Sequence, residues 1–204
     1  MPNPRMPLEP GNYYHVYNRG INSCNLFRED DNYKYFLKLY EKYIPPVANT
    51  FAWVFMGNHF HLLVQILPKL HPEGIQNLQG VAADAEKHVI QQFSNLFNAY
   101  TKAFNKRYNR TGTLFEHPFR RKLISDHDSL KQVVLYIHNN PVRHGFCSHP
   151  AEYTWSSYLS FVSEAPTILC REAVLGWFGN EANFKYLSDP EGFQNLQGLN
   201  QPVE

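Results

Sequence analysis

Two histidines separated by one large apolar residue form the first candidate site, His59-Phe60-His61. They lie in a run that predicts a β-strand, and successive side chains of a strand point to opposite faces. His59 and His61 therefore share one face, and Phe60 takes the other. Two neutral imidazoles one strand repeat apart can bind a single metal ion. The alternative interpretation is two polar positions on the hydrated face of a sheet.

A second candidate lies much later in the chain, at Tyr136 and Asn140. The two residues are four positions apart and share one face of a predicted helix. A tyrosine phenol can attack phosphorus, but its pKa near ~10 means that it needs activation by a metal or a base. The amide oxygen of Asn140 can supply a third metal ligand and leave open positions for phosphate oxygens. The alternatives are a core aromatic for Tyr136 and a helix C-cap before proline for Asn140.

A third feature is a basic window at residues 102–122 with aromatic residues interleaved. Basic groups follow a phosphate backbone and exposed aromatics stack on bases, so the window favours contact with nucleic acid. The alternative is a solvated helix face whose aromatics, Tyr100 and Phe104 above all, belong to the core. The side chains expected to contact DNA are Arg19, Lys102, Lys106, Arg107, Arg110, Arg120, Arg121 and Lys122.

Composition limits the class of protein. The chain has 204 residues, a length that suits one domain with an appendage. The formal net charge is only +1, so only the distribution of charge is informative about partners. Three widely spaced cysteines favour reduced thiols over a disulfide framework or a Cys-rich zinc site. With no signal peptide and no run of ~20 apolar residues, we expect a soluble, cytoplasmic protein without a membrane partner.

The segments that must position these residues alternate between strand and helix patterns. Strands are predicted at residues 13–18, 50–56, 59–66 and 121–125, and helices at residues 29–43, at 82–108, from Asp126 or Asp128 to Pro141, and near 171–178. Gly57-Asn58 predicts a hairpin turn beside the histidines. The order favours an α+β domain, an antiparallel sheet with helices packed on one face. The opposite face would then be free for His59 and His61.

An internal repeat links two distant segments. Residues 72–80 and 190–198 differ only where Ile75 is replaced by Phe193. Both copies are polar and bounded by glycine, so we expect a loop for the first copy and a tail for the second.

Four motifs occur in order along the chain. They are His59-Phe60-His61 after Met56 and Asn58, residues 105–115, residues 136–145, and Trp155-Ser156-Ser157-Tyr158. Together they resemble the REP-associated tyrosine transposases, relatives of the small bacterial transposases that carry a His-hydrophobe-His (HUH) motif and one catalytic tyrosine. The resemblance covers about residues 12–162. Gly57 replaces a proline that is frequent in the family, and residues 116–119 depart from its small, basic run, but neither change removes a chemical group from the site.

The resemblance implies a ferredoxin-like or RRM-like α+β fold and a DNA nicking and joining activity. His59 and His61 match the metal-binding pair of the family, Asn140 matches a further metal ligand, and Tyr136 matches the nucleophile that forms a 5′-phosphotyrosine intermediate. The implied cofactor is Mg²⁺ or Mn²⁺. The implied substrate is single-stranded DNA beside a hairpin of the repetitive extragenic palindrome type.

Two alternatives stay open beside this expectation. One is a hairpin DNA- or RNA-binding protein that does not cleave, and the other is a metal-dependent phosphodiesterase that uses activated water. The catalytic domain is predicted at residues 1–165, followed by a C-terminal extension at 166–204 with a helical piece and a flexible tail. Either a monomer or a homodimer is compatible with the sequence.

Overall fold

The chain forms one antiparallel sheet surrounded by helices, in a computed structural model that describes residues 6–68 and 78–197. The strands are β1 Tyr13–Arg19, β2 Ala48–Met56, β3 His59–Ile66 and β4 Arg120–Ile124, in the order β2-β3-β1-β4. The helices are α1 Asp30–Tyr43, α2 Leu78–Arg107, α3 His127–Arg143, α4 Tyr158–Phe161, α5 Arg171–Trp177, α6 Glu181–Ser188 and α7 Pro190–Gln197. Of the helices in the described ranges, none combines the length and apolarity needed to cross a membrane.

The β2–β3 hairpin sets the position of the two histidines. The turn at Gly57-Asn58 joins the strands, as the sequence predicts, and Met56 pairs with His59 beside it. The loop after β1 holds this turn, because the Gly20 N–H donates to the Asn58 carbonyl at 2.8 Å. The hairpin therefore begins β3 at a tethered point, with the first histidine directly after the turn.

Helices α1 and α2 cover the sheet face that carries Phe60. The Phe60 side chain is fully buried, and its ring centroid lies 5.7 Å from the rings of Phe36 in α1 and Phe97 in α2. Burial of this aromatic ring on one face orients both neighbouring histidines toward the other face. The predicted α+β architecture is confirmed, with an antiparallel sheet and two helices on this face.

The opposite face of the sheet is only partly open, which differs from the expectation of a free face. Val54 of β2 and Leu63 of β3 form a second core cluster with Val134 and Ile137 of α3. These strand residues are apolar on both faces, so a second layer of helices is needed to remove them from water. At the end of this face that carries the histidines, α3 contacts the sheet through its polar residues.

Helix α3 extends further than the sequence indicates. Asp126 caps it, as predicted, by accepting a hydrogen bond from the Ser129 N–H at 2.8 Å. The predicted end before Pro141 is wrong, because the helix continues to Arg143 with Pro141 inside its last turn. Proline removes one backbone donor there, and so close to the helix end little of the hydrogen-bond ladder is lost. Asn140 therefore remains helical rather than acting as a C-cap.

The C-terminal helices belong to the second core cluster. Val174, Phe178, Phe184 and Phe193 are all buried in it beside α3. The expectation of a tail for the second repeat copy is wrong at residues 190–197, which form α7. Gly192 allows α7 to lie against α6, because a Cβ atom there would stand 2.2 Å from the Tyr186 carbonyl oxygen. Of the first copy, residues 72–77 lie outside the described residues, and residues 78–80 begin α2.

Candidate metal and nucleophile site

Side chains from β3 and α3 meet at the open end of the second sheet face. The Tyr136 ring lies edge-on to the His61 ring, with 5.4 Å between their centroids. The His59 Nε2 atom lies 3.2 Å from the Asn140 Oδ1 atom. The structure thus brings together the four residues that the sequence analysis proposed for chemistry, although they come from two distant segments.

Helix α3 presents Tyr136 and Asn140 on one side because the residue between them anchors the other side. His138 is fully buried, and its Nε2 atom lies 2.8 Å from the Ser157 Oγ atom. Ser157 in turn accepts a hydrogen bond from the Trp53 N–H of β2 at 2.9 Å. This chain of contacts ties α3 to the edge of the sheet, so the polar side of the helix is held over the histidines.

His59 faces two amide oxygens, one at each ring nitrogen. Its Nδ1 atom is 2.7 Å from the Asn58 Oδ1 atom, and its Nε2 atom is 3.2 Å from the Asn140 Oδ1 atom. Burial lowers the pKa of His59 more than the contact with Asn140 raises it, so the ring is neutral at pH 7. A neutral imidazole has a single N–H and can donate to only one of the two oxygens. With that N–H bonded to Asn58, a lone pair on Nε2 faces the Asn140 oxygen.

This arrangement fits a divalent metal ion. Neighbouring ligands of an octahedral ion with bonds of ~2.1 Å are about 3 Å apart, close to the 3.2 Å between His59 Nε2 and Asn140 Oδ1. Burial, together with the nearby rings of His15 and His59, lowers the pKa of His61 well below its usual value, so His61 is also neutral. Within the described ranges no three His, Cys, Asp or Glu side chains are grouped to hold a metal. The ligand set therefore depends on the amide oxygen of Asn140.

Four further side chains line the site and were not predicted from the sequence. Two of them contact His61: His15 Nε2 lies 2.9 Å from His61 Nδ1, and the Tyr17 ring centroid lies 5.6 Å from that of His61. The Arg143 guanidinium carbon is 5.3 Å from the Tyr136 ring centroid. The ring centroids of His144 and His59 are 5.4 Å apart. Alternation along residues 13–19 places His15 and Tyr17 on one face, but only the pairing of β1 with β3 shows which strand they face. His144 follows Asn140 by one helical turn, a spacing that was available in the sequence.

Three of the basic residues predicted to contact DNA lie on the same face as the histidines. Arg19 pairs in register with His59, and Arg120 pairs with Tyr17. Lys122 lies opposite His15, and burial, with a smaller contribution from the Lys122 charge, lowers the pKa of His15 to about 3. These cations border the site along β1 and β4, and two of them, Arg19 and Arg120, pair with the Glu116 carboxylate at 2.5 and 3.8 Å.

Other basic residues of the predicted window are engaged within the protein. Arg107 donates to both carboxylate oxygens of Glu29, at 2.6 and 2.9 Å. Arg110 donates to the Asn105 side chain at 2.9 Å. Lys102 and Lys106 are exposed on α2.

The expectation that Arg121 contacts DNA is wrong. Its side chain is only 5% exposed and donates to Glu86 at 3.2 Å and to the Met6 carbonyl. Alternation along β4 explains the difference, because Arg120 and Lys122 point to the histidine face and Arg121 points to the α2 side.

Comparison with known proteins supports the fold. No protein-family model and no curated protein matches the sequence. A solved structure of a REP-associated tyrosine transposase bound to a REP hairpin is similar over 80% of this chain and 87% of that chain, with a TM-score of 0.53 and 17% sequence identity. Two structures of a bacterial tRNA(His) guanylyltransferase (Thg1)-like protein, in complex with GTP and with ATP, each reach a TM-score of 0.38 at 12% identity over 68% of this chain, and cover 68% and 63% of those chains. The first likeness shows that this chain has the fold of a REP-associated tyrosine transposase.

Proposed function

We propose that the protein is a tyrosine transposase-like enzyme that nicks and rejoins single-stranded DNA beside a hairpin. One observation carries the proposal: Tyr136 on α3 lies against His61 of β3, and the amide oxygen of Asn140, one helical turn later, lies 3.2 Å from the second β3 imidazole, His59. This is a nucleophile beside a ligand set for a divalent ion. The shared fold with a transposase that was solved bound to a REP hairpin supports the class of substrate.

The metal ligands in this proposal are His59 Nε2, His61 and Asn140 Oδ1, with Mg²⁺ or Mn²⁺ as the ion. Such an ion supplies Lewis-acid polarisation of a phosphate oxygen and a lower pKa for a phenol close to it. Both imidazoles are neutral because of burial, so no proton has to leave before either ring can bind. Asn140 is almost fully buried, which holds its oxygen in a single position.

Tyr136 is the proposed nucleophile. Its phenolic oxygen attacks phosphorus, a bond between that oxygen and phosphorus forms, and the bond from phosphorus to the 3′ oxygen breaks. The phenol proton is released and the leaving oxygen takes up a proton, so the products are a 5′-phosphotyrosine and a free 3′-OH. A second 3′-OH can reverse the step and release the phenol. The number of phosphate ester bonds is conserved, so no ATP is required.

Neighbouring cations support this chemistry. The Arg143 guanidinium lies over the Tyr136 ring, where a cation stabilises negative charge that develops on the phenol. Arg19, Arg120 and Lys122 border the histidines and are proposed to bind phosphates of the DNA, for which Arg19 and Arg120 would exchange their contacts with Glu116. Lys102 and Lys106, which are exposed on α2, are proposed to contact the hairpin backbone away from the cut.

The test is a covalent-adduct assay. Hairpin DNA with a single-stranded flank and a 3′-end label is incubated with the protein and Mn²⁺ and resolved on a denaturing gel. The wild-type protein should retain the label as a protein–DNA adduct, and a chelator should prevent it. Tyr136→Phe should lose the adduct and keep hairpin affinity in a gel-shift assay. The matched control is Tyr186→Phe, an exposed tyrosine on α6, which should form the adduct normally.

Each other outcome identifies another function. An adduct that persists in Tyr136→Phe would show that another side chain is the nucleophile. Cleavage without an adduct, retained in that variant, would indicate a phosphodiesterase that activates water. Hairpin binding by the wild-type protein with neither cleavage nor adduct would indicate a binding protein.

A further inference from the structure

A buried contact between two histidines lies directly behind the proposed metal site. His15 Nε2 and His61 Nδ1 are 2.9 Å apart, within hydrogen-bond distance. Two ring nitrogens at this distance share one hydrogen. Two hydrogens between them would clash, and with no hydrogen between them two lone pairs would face each other. That hydrogen belongs either to His61 or to His15.

The two arrangements have opposite consequences for metal binding. If the hydrogen belongs to His61 Nδ1, the Nε2 atom of His61 carries a lone pair and can bind a metal. If it belongs to His15 Nε2, a neutral His61 carries its own hydrogen on Nε2 and cannot bind through that atom. The hydrogen-bond partner of the ring nitrogen that faces away from the metal thus decides whether a neutral histidine can bind the metal through its other nitrogen.

His15 is held in place by the sheet and by aromatic contacts. It lies on β1, opposite Leu63 of β3. Its ring lies beside the rings of Tyr17 and His61, with 5.0 Å to each centroid and interplanar angles of 30° and 26°. The Tyr136 ring closes a third side edge-on at 5.8 Å. A ring fixed in this way presents its Nε2 atom to His61 in one orientation.

We propose that His15 is a positioning residue that accepts the Nδ1–H of His61 and so keeps the Nε2 lone pair of His61 available for the metal. The proposal rests on the proposed function, because it concerns the same metal site. Partners of this kind contribute about 10- to 100-fold to metal affinity. The role of His15 is distinct from that of a ligand, since its own Nε2 atom is used in the contact with His61.

The first test measures Mn²⁺ affinity by electron paramagnetic resonance of the free ion, without DNA. His15→Leu removes the acceptor, and we expect its affinity to fall about 10- to 100-fold. His15→Gln places an amide oxygen near the position of the lost nitrogen, and we expect it to restore most of the affinity. His88→Leu removes an exposed histidine of α2 and serves as the control with unchanged affinity. Wild-type affinity in His15→Leu would overturn the proposal.

The second test needs no variant of His15. Long-range ¹⁵N–¹H correlation spectra of the metal-free wild-type protein report which nitrogen of His61 is protonated, and His61→Gln assigns the signals. We expect hydrogen on Nδ1, and hydrogen on Nε2 would overturn the proposal even if the His15 variants fail to fold. A wild-type protein that binds no Mn²⁺ would instead refute the metal site of the proposed function.

Discussion

Acid should destabilise the protein through the buried histidine that holds α3 in place. His138 is fully buried among aromatic side chains, including Tyr158 and Phe184, and burial lowers its pKa to about 3. Among the described residues no group offers a hydrogen bond to its Nδ1 atom. An imidazolium at this position would have an N–H without a partner in an apolar environment, which is why the folded protein keeps the ring neutral.

The sign and size of the effect follow from the two pKa values. The unfolded chain protonates His138 near pH 6.5, whereas the folded protein resists protonation down to about pH 3. The stability that depends on a neutral His138 is therefore fully present above about pH 6.5 and is lost progressively as the pH falls toward 3. Between pH 7 and pH 5, the free energy of unfolding should fall by about 2 kcal/mol because of this residue alone.

The assay is urea denaturation followed by tryptophan fluorescence at pH 5, 6 and 7, with a chelator present. His138→Gln keeps a side chain that can reach Ser157 but removes the titration, so its stability should fall by about 2 kcal/mol less than that of the wild type over this range. His88→Gln, which removes an exposed histidine, is measured alongside as the control for loss of a histidine as such. Equal pH dependence in wild type and His138→Gln would refute the reasoning, because it would mean that His138 titrates alike in the folded and unfolded chain.

Three further predictions concern the site and its support. Mn²⁺ should raise the melting temperature of the wild type more than that of Asn140→Ala, because each tenfold loss of metal affinity removes about 1.4 kcal/mol of stabilisation at saturating metal. Equal shifts in melting temperature would exclude Asn140 as a ligand. Phe60→Ala should cost about 3–5 kcal/mol in urea denaturation and Phe60→Leu clearly less, and a cost below about 1 kcal/mol would contradict a close-packed site for this ring. Lys122→Gln should reduce the slope of log binding constant against log salt concentration for the hairpin by about 1. Arg121→Gln should lower stability and leave this slope unchanged, and the reverse pattern would show that Arg121 reaches DNA.

Local patterns in the sequence were enough to predict the main elements. The largely apolar run after the turn identified β3 at its observed bounds, and the Gly57-Asn58 pair identified the hairpin turn. Where non-local packing competed with a local signal, the prediction was wrong. Pro141 lies within α3, and the second repeat copy is helical because Phe193 is buried against the C-terminal helices.

The sequence alone determined which chemical groups are available, because the spacing of His59 and His61 on a strand and of Tyr136 and Asn140 on a helix follows from backbone geometry. Only the tertiary structure decided that the two pairs meet, since their contact depends on how α3 packs across the sheet. It also decided which neighbours join them: pairing of β1 with β3 brings His15 to His61. Burial and strand pairing are properties of the whole fold, and they determine the protonation of each imidazole and the availability of each basic side chain.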